Sequence, residues 1–136
     1  MDFFFYGTLC DADVRRRVLG RELPDAQVED AILSGFSPLF VADATYPTLV
    51  ARPGGHAPGL LARGLGAADA ARLAAFEGPA YCTRSLAVTG RRSGPAKARV
   101  FVIRGEARAA GRPWTLAEWQ RRFKQAFLAA SPFRPR

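Results

Sequence analysis

Two short stretches of this chain carry residue types that could do chemistry: Tyr6-Gly7-Thr8-Leu9 and Phe76-Glu77-Gly78-Pro79. The first follows three phenylalanines at 3–5 and precedes a helix that Asp11 or Asp13 can cap. Glycine permits positive φ, so Gly7 can turn successive backbone N–H groups to one side as an anion-binding concavity. A helix beginning two or three residues later adds the positive end of its dipole. The stretch is a candidate carboxylate or phosphate cradle, although alone it reads more simply as the turn that ends a strand. In the second stretch, Glu77 closes a helix at the end where the dipole disfavours a carboxylate. Phe76, Gly78 and Pro79 offer it no cation. Partial burial would act in the same direction and push its pKa up, toward the range of a general base or acid. The plainer reading of Glu77 is an exposed residue before a helix-stopping Gly-Pro.

Other reactive groups lead nowhere comparable. Cys10 and Cys82 flank the two stretches, but the only histidine, His56, lies in the Gly/Pro-rich segment PGGHAPG and pairs with neither as a base. Both cysteines read as free thiols that pack, and His56 as a solvated loop residue. With no second histidine and no Cys-x-x-Cys, a transition-metal site lacks ligands. The formal charge of +8 raises nucleic-acid binding. Its basic groups are nearly all arginine, the lysines being Lys97 and Lys124, and with abundant Ala, Gly and Pro this fits a GC-rich coding bias. They are dispersed as Arg15–Arg17, Arg91-Arg92 and Arg121-Arg122, without interleaved aromatic platforms, so nucleic acid is disfavoured as a partner. An anionic small molecule would be drawn by the same field.

The elements that must hold these residues follow from pattern. A chain of 136 residues, 49% hydrophobic and 24% charged, fits one globular domain over 1–136. No apolar run reaches the ~20 residues of a membrane span. Asp2 stands where a signal peptide would be basic, so a cytoplasmic location is expected. Residues 3–6 read as a buried strand. A helix follows with Val14, Val18 and Leu19 on one side, Arg15–Arg17 on the other, and Gly20 at its end. Residues 28–43 read as two short strands or one bent strand, broken near Gly35 and Pro38. Strands at 45–52 and 59–65 flank a loop at 53–58. Alanine content and the Leu73/Phe76 spacing predict a helix over 66–78. Strands at 84–90 and 97–105 alternate around a polar turn. Thr115 and Glu118 fit a capping box, with Trp114 and Trp119 at the staple positions. Leu116, Trp119, Phe123 and Phe127 then give the last helix a core-facing stripe, and 131–136 reads as a loose tail. About six or seven short strands with helices between and after them predict an α+β fold, a small curled mixed sheet or barrel.

Taken together, the motifs resemble the γ-glutamylcyclotransferase-like, or AIG2-like, family. Tyr6, Gly7, Thr8 and Leu9 match its opening loop, and Tyr46-Pro47 its Tyr-Pro before a central strand. Gly59-Leu60-Leu61 match a Gly-led strand. Leu73, Phe76, Glu77, Gly78 and Tyr81 match Leu-Asp-x-Phe-Glu-Gly-x-x-Tyr. Order and spacing agree over 3–104, and the Trp-containing last helix looks like some bacterial members. The pattern's Asp is Ala74 here, and an Arg often found after its Tyr is Thr83, with Arg84 adjacent. In a regular strand Arg84 shares parity with Leu86 and Val88 and faces the core or a pocket mouth.

The resemblance implies cyclisation of a γ-glutamyl amide to 5-oxoproline with release of an amine or amino acid, a transferase or lyase chemistry without metal or organic cofactor. It implies Glu77 as general base and acid, the Tyr6–Leu9 backbone as the holder of the glutamyl end, and Tyr81 and Arg84 as shapers of the pocket. The implied partner is a small γ-glutamyl substrate rather than nucleic acid or membrane. The leaving group would meet the loop at 53–58, the strand after Tyr81 and the C-terminal helix. A non-catalytic binding or regulatory protein on the same fold is the alternative that Ala74 and Thr83 leave open.

Overall fold

A computed structural model describes residues 1–105 and 109–130, so the expected loose tail at 131–136 lies outside the described residues. The described chain forms strands β1 (Phe3–Phe5), β2 (Val28–Val41), β3 (Pro47–Ala62), β4 (Tyr81–Gly90), β5 (Gly94–Ile103) and β6 (Ala109–Pro113). Its helices are α1 (Ala12–Leu19), α2 (Ala67–Glu77), α3 (Leu116–Arg122) and α4 (Lys124–Ala129).

The triple phenylalanine is unbroken because β1 is buried on both faces. Phe3 and Phe5 face the helices, in a cluster with Leu9, Leu73, Phe76 and Trp119. Phe4 and Tyr6 face the other way, into a cluster with Leu33, Leu61, Val88 and Val100. Strand β1 runs antiparallel to β3 and parallel to β5. Strand β4 follows β5, β2 follows β4, and β2 returns to β3, which closes a five-stranded barrel. The second cluster fills that barrel, and the first joins its outer wall to the helices. The α+β expectation holds in its barrel form, with β6 added beside Leu39 and Val41 of β2.

Several local expectations change. Residues 28–41 are one strand, bent at Gly35 (φ +86°), and Pro38 stays within it, opposite Leu49. Residues 53–58 are not a loop: β3 is continuous, with Ala57 opposite Leu33 and His56 opposite Ser34. The next pairs are Phe36 with Ala51, so Pro53, Gly54 and Gly55 are absorbed as a bulge rather than a loop. His56 is thus an exposed strand residue. Gly59 is required where β3 crosses β1, since a Cβ there would lie 2.0 Å from the Phe5 carbonyl oxygen. The last helix breaks at Phe123 (φ −125°) into α3 and α4, yet Leu116, Trp119, Phe123 and Phe127 all reach the helix-side cluster. Half of the capping box forms, with the Glu118 N–H donating to the Thr115 hydroxyl (3.2 Å). The Glu118 carboxylate instead accepts from Arg122 (2.6 Å) and Arg112. Strand β6 escapes the sequence reading because all five of its residues are exposed and show no alternation.

One end of the barrel is closed by Glu29. Its Oε1 accepts from the Ser93 N–H (3.0 Å), the Ser93 hydroxyl (2.8 Å) and the Arg92 N–H (3.2 Å). Its Oε2 lies 3.0 Å from the Arg63 guanidinium. These contacts tie the start of β2 to the β4–β5 turn and to the end of β3. The Ser93 N–H is the strongest of them, and together they hold the Glu29 pKa at about 2 against the opposing effect of burial. In the unfolded chain a glutamate titrates near ~4.3. Its contribution is therefore complete above about pH 4 and is lost as pH falls through about 2. Urea midpoints of the wild type should fall more steeply between pH 5 and pH 2 than those of Glu29→Gln, which has no proton to take up at this site; parallel curves would contradict the assignment.

Candidate functional site

Strand β1 ends where Gly7 opens a short 3-10 turn over Thr8–Cys10. Gly7 has φ −112°, so positive φ is not the reason for the glycine, contrary to expectation. Turn geometry does the aiming instead. The first internal bond of the turn is from the Cys10 N–H to the Gly7 carbonyl (2.9 Å). The N–H groups of Thr8 and Leu9 precede that bond and take no acceptor among the described residues. The carbonyl side is occupied, since Arg15 Nη1 donates to Leu9 O (3.0 Å) and Cys10 O (2.7 Å). Burial lowers the Arg15 pKa from its usual value, with Cys10 and Asp11 opposing. The Cys10 thiol donates to Phe5 O (3.0 Å) and packs against the helix-side cluster, Cys82 is half-buried, and both are free thiols.

Asp11 then caps α1, its Oδ1 accepting from the N–H groups of Asp13 (2.9 Å) and Val14 (3.1 Å). Its Oδ2 accepts from Gln120 (2.9 Å) and lies 2.9 Å from Lys124 Nζ. Burial raises the Asp11 pKa more than any single partner lowers it, but Lys124, Gln120 and the Val14 N–H together bring it below the usual value.

Helix α2 brings Glu77 to the same place. Asp69 starts the helix by accepting from the Gly66 N–H (3.1 Å) and pairs with Arg21 (Nη2 to Oδ2, 3.0 Å), which ties α2 to the end of α1. Leu73 and Phe76 anchor its inner face, and Gly78, at φ +85°, ends it. Arg104 braces the following turn through its N–H to Ala80 O (2.7 Å) and its Nε to Pro79 O (3.1 Å). Glu77 is 5% exposed, so it is not the solvated residue its sequence neighbours allowed.

Tyr6, Gly7, Thr8, Leu9 and Glu77 line one narrow recess, together with Phe101, Phe4 and Phe5. Among the described residues, Glu77 is its only carboxylate, and no cation lines it. Thr8 is 1% exposed and its hydroxyl has no hydrogen-bond partner among the described residues. The recess thus brings together residues that carry a buried carboxylate, a buried hydroxyl and two backbone N–H groups, a set of groups suited to proton transfer beside a bound anion. Tyr81 is buried in the helix-side cluster and does not line the recess. Arg84 is exposed, on the β4 face that carries Leu86 and Val88 into the barrel cluster. Sequence reasoning missed Phe101, which only its place in the alternation of β5 could have marked. It also missed Arg15, Gln120 and Lys124, for which the pattern held no signal.

A family model described as "Gamma-glutamyl cyclotransferase, AIG2-like" matches residues 3–121. No curated protein matches. Among solved structures, the solution structure of At3g28950.1 from Arabidopsis thaliana is similar with a TM-score of 0.71 at 22% identity, covering 93% of this chain and 76% of that one. At5g39720.1 from the same plant gives 0.69 at 24% identity, over 93% and 85%. A structure titled "Gamma-glutamyl cyclotransferase" gives 0.56 at 14% identity, over 79% and 69%.

The two polar residues of the turn should separate in a stability test. Thr8→Val removes a buried hydroxyl with no partner and should change the unfolding free energy by under ~1 kcal/mol, or raise it. Asp11→Ala removes a helix cap and uncouples Lys124, and should lower it by roughly 2–4 kcal/mol. Urea denaturation measures both, and a Thr8→Val loss as large as that of Asp11→Ala would make the hydroxyl structural.

Proposed function

The chain belongs to the gamma-glutamyl cyclotransferase, AIG2-like family, and from that membership we propose that it is a cofactor-independent cyclotransferase acting on a γ-glutamyl amide. The substrate's own α-amine attacks its γ-carbonyl carbon. A ring C–N bond forms, the bond to the departing amine breaks, and 5-oxoproline is released without consuming water. Two protons leave the α-ammonium and two arrive on the departing nitrogen. The Glu77 carboxylate passes them in turn and ends ionised, as it began.

The observation that carries this reading is the shared recess: the Glu77 carboxylate lines the same small space as the turn of Thr8 and Leu9. The two backbone N–H groups and the Thr8 hydroxyl hold the glutamyl end and offset negative charge on oxygen. Folding the glutamyl chain back on itself supplies the effective molarity of an intramolecular attack. Tyr81 supports the site from the core, whereas Arg84 is exposed on the barrel-facing side of β4 and is not among the residues that line the recess. The family-pattern departures favour turnover over a binding-only role, because Ala74 and Thr83 are both exposed and neither lines the recess.

A panel of γ-glutamyl amino acids and γ-glutamyl amines, assayed for 5-oxoproline, tests the reaction. Glu77→Gln should lower kcat by ~10²–10⁴-fold with little change in KM, the range for losing a general acid–base. Near wild-type turnover in that variant would remove Glu77 from the mechanism. Binding of the panel without product from any member would favour the non-catalytic alternative.

A further inference from the structure

The carbonyl side of the turn that ends β1 carries a cation. Arg15 Nη1 donates to Leu9 O (3.0 Å) and to Cys10 O (2.7 Å). Its guanidinium makes no salt bridge among the described residues, unlike those of Arg21, Arg63, Arg112 and Arg122. We propose that Arg15 is a positioning residue for the reaction, whose charge strengthens the Thr8 and Leu9 N–H groups as donors to negative charge in the recess. The inference rests on the cyclotransferase reading and adds a residue that this reading does not use.

Peptide connectivity links the cation to the donors. Each peptide unit joins the carbonyl of one residue to the N–H of the next. Leu9 O therefore shares a unit with the Cys10 N–H, which donates to Gly7 O (2.9 Å). Gly7 O in turn shares a unit with the Thr8 N–H. A second path runs in parallel: Cys10 O shares a unit with the Asp11 N–H, which donates to Thr8 O (3.0 Å). Thr8 O shares its unit with the Leu9 N–H. One cation thus heads two chains of two peptides, and each chain ends on an N–H that takes no acceptor among the described residues. Hydrogen bonds in series polarise one another, and a cation at the carbonyl end draws electron density from the terminal N–H.

The surroundings preserve the effect. Burial lowers the Arg15 pKa, and the same poor hydration leaves its charge less screened. The Asp11 carboxylate, whose charge opposes the field, is itself met by Lys124 Nζ at 2.9 Å. Placement behind the turn also separates the cation from the base. A cation inside the recess would pair with Glu77 and make it a weaker base. Arg15 does not line the recess, so its charge reaches a bound anion through the backbone and leaves the Glu77 carboxylate to the substrate.

Charge and structure predict opposite signs in amide hydrogen exchange. Base-catalysed exchange removes the amide proton, so a more acidic N–H exchanges faster, whereas a loosened turn speeds exchange of every N–H it protects. Exchange at Thr8 and Leu9, followed by NMR in the ligand-free protein, should slow at least ~3-fold in Arg15→Gln and Arg15→Met, as for one charge lost from a partly hydrated interior. Arg15→Lys, which keeps the charge, should stay within about twofold of wild type. Unchanged or faster exchange in the neutral variants, or equal slowing in Arg15→Lys, would overturn the proposal. With a γ-glutamyl substrate that the wild type cyclises, kcat should fall ~10-fold in Arg15→Gln at nearly constant KM, less than the ~10²–10³-fold of losing such a donor outright. Arg15→Lys should recover most of that loss. Slowed exchange with unaltered kcat would also overturn the positioning role. If the wild type cyclises no member of the panel, the cyclotransferase reading fails, and exchange still decides whether Arg15 strengthens the two donors.

Discussion

The turn that presents Thr8 and Leu9 depends on the buried carboxylate that follows it. Asp11 is 1% exposed and uses each oxygen differently, one for the first N–H groups of α1 and the other for Gln120 and Lys124. A carboxylate buried this deeply stays ionised only because charge and hydrogen bonds outweigh desolvation. Lys124 is in turn held by Asp11 and Asp13, which raise its pKa. Arg17 adds a bond to Leu128 O (2.6 Å), so α1 meets α3 at Gln120 and α4 at Lys124 and Leu128. The C-terminal helices therefore act as a brace behind the turn, and the geometry of the recess is set from both ends of the sequence.

The surplus of arginine has a local explanation of the same kind. Arg63 pairs with Glu29, Arg21 with Asp69, Arg112 and Arg122 with Glu118, and Arg15 covers two turn carbonyls. A planar fork can satisfy two acceptors at once, which a lysine ammonium does less well. These guanidiniums stitch element ends to one another, and none of them enters the recess. The long-range field of a chain with formal charge +8 still favours anions. Under the proposed function, contact with an anion in the recess falls to neutral donors, the N–H groups and the Thr8 hydroxyl.

What could be read in advance follows from what leaves a pattern. Strand β1, α2 and the aromatic stripe of α3 and α4 were legible because burial imposes periodicity or an unbroken apolar run. The family resemblance brought Tyr6–Leu9 and Glu77 to one reading, and the fold brings them to one recess. Residues 53–58 misled because Pro and Gly mark bulges as well as loops, and only pairing with β2 distinguishes them. The glycine of the opening motif was credited with a positive φ it does not have. The brace was invisible, because an Asp11–Gln120 contact across 109 positions has no local signature.

Solved structures at 14–24% identity share this fold at TM-scores of 0.56–0.71, and the proposed chemistry itself asks little of the sequence beyond that fold. When the substrate brings its own nucleophile, the protein must supply only a carboxylate, a few donors and a shape. Two of the three donors are backbone N–H groups, which any side chain can carry provided the turn holds. The demand then moves from residue identity to placement: a strand ended on time, a helix stopped one residue past its glutamate, and a glycine at 59 so that β3 can approach β1.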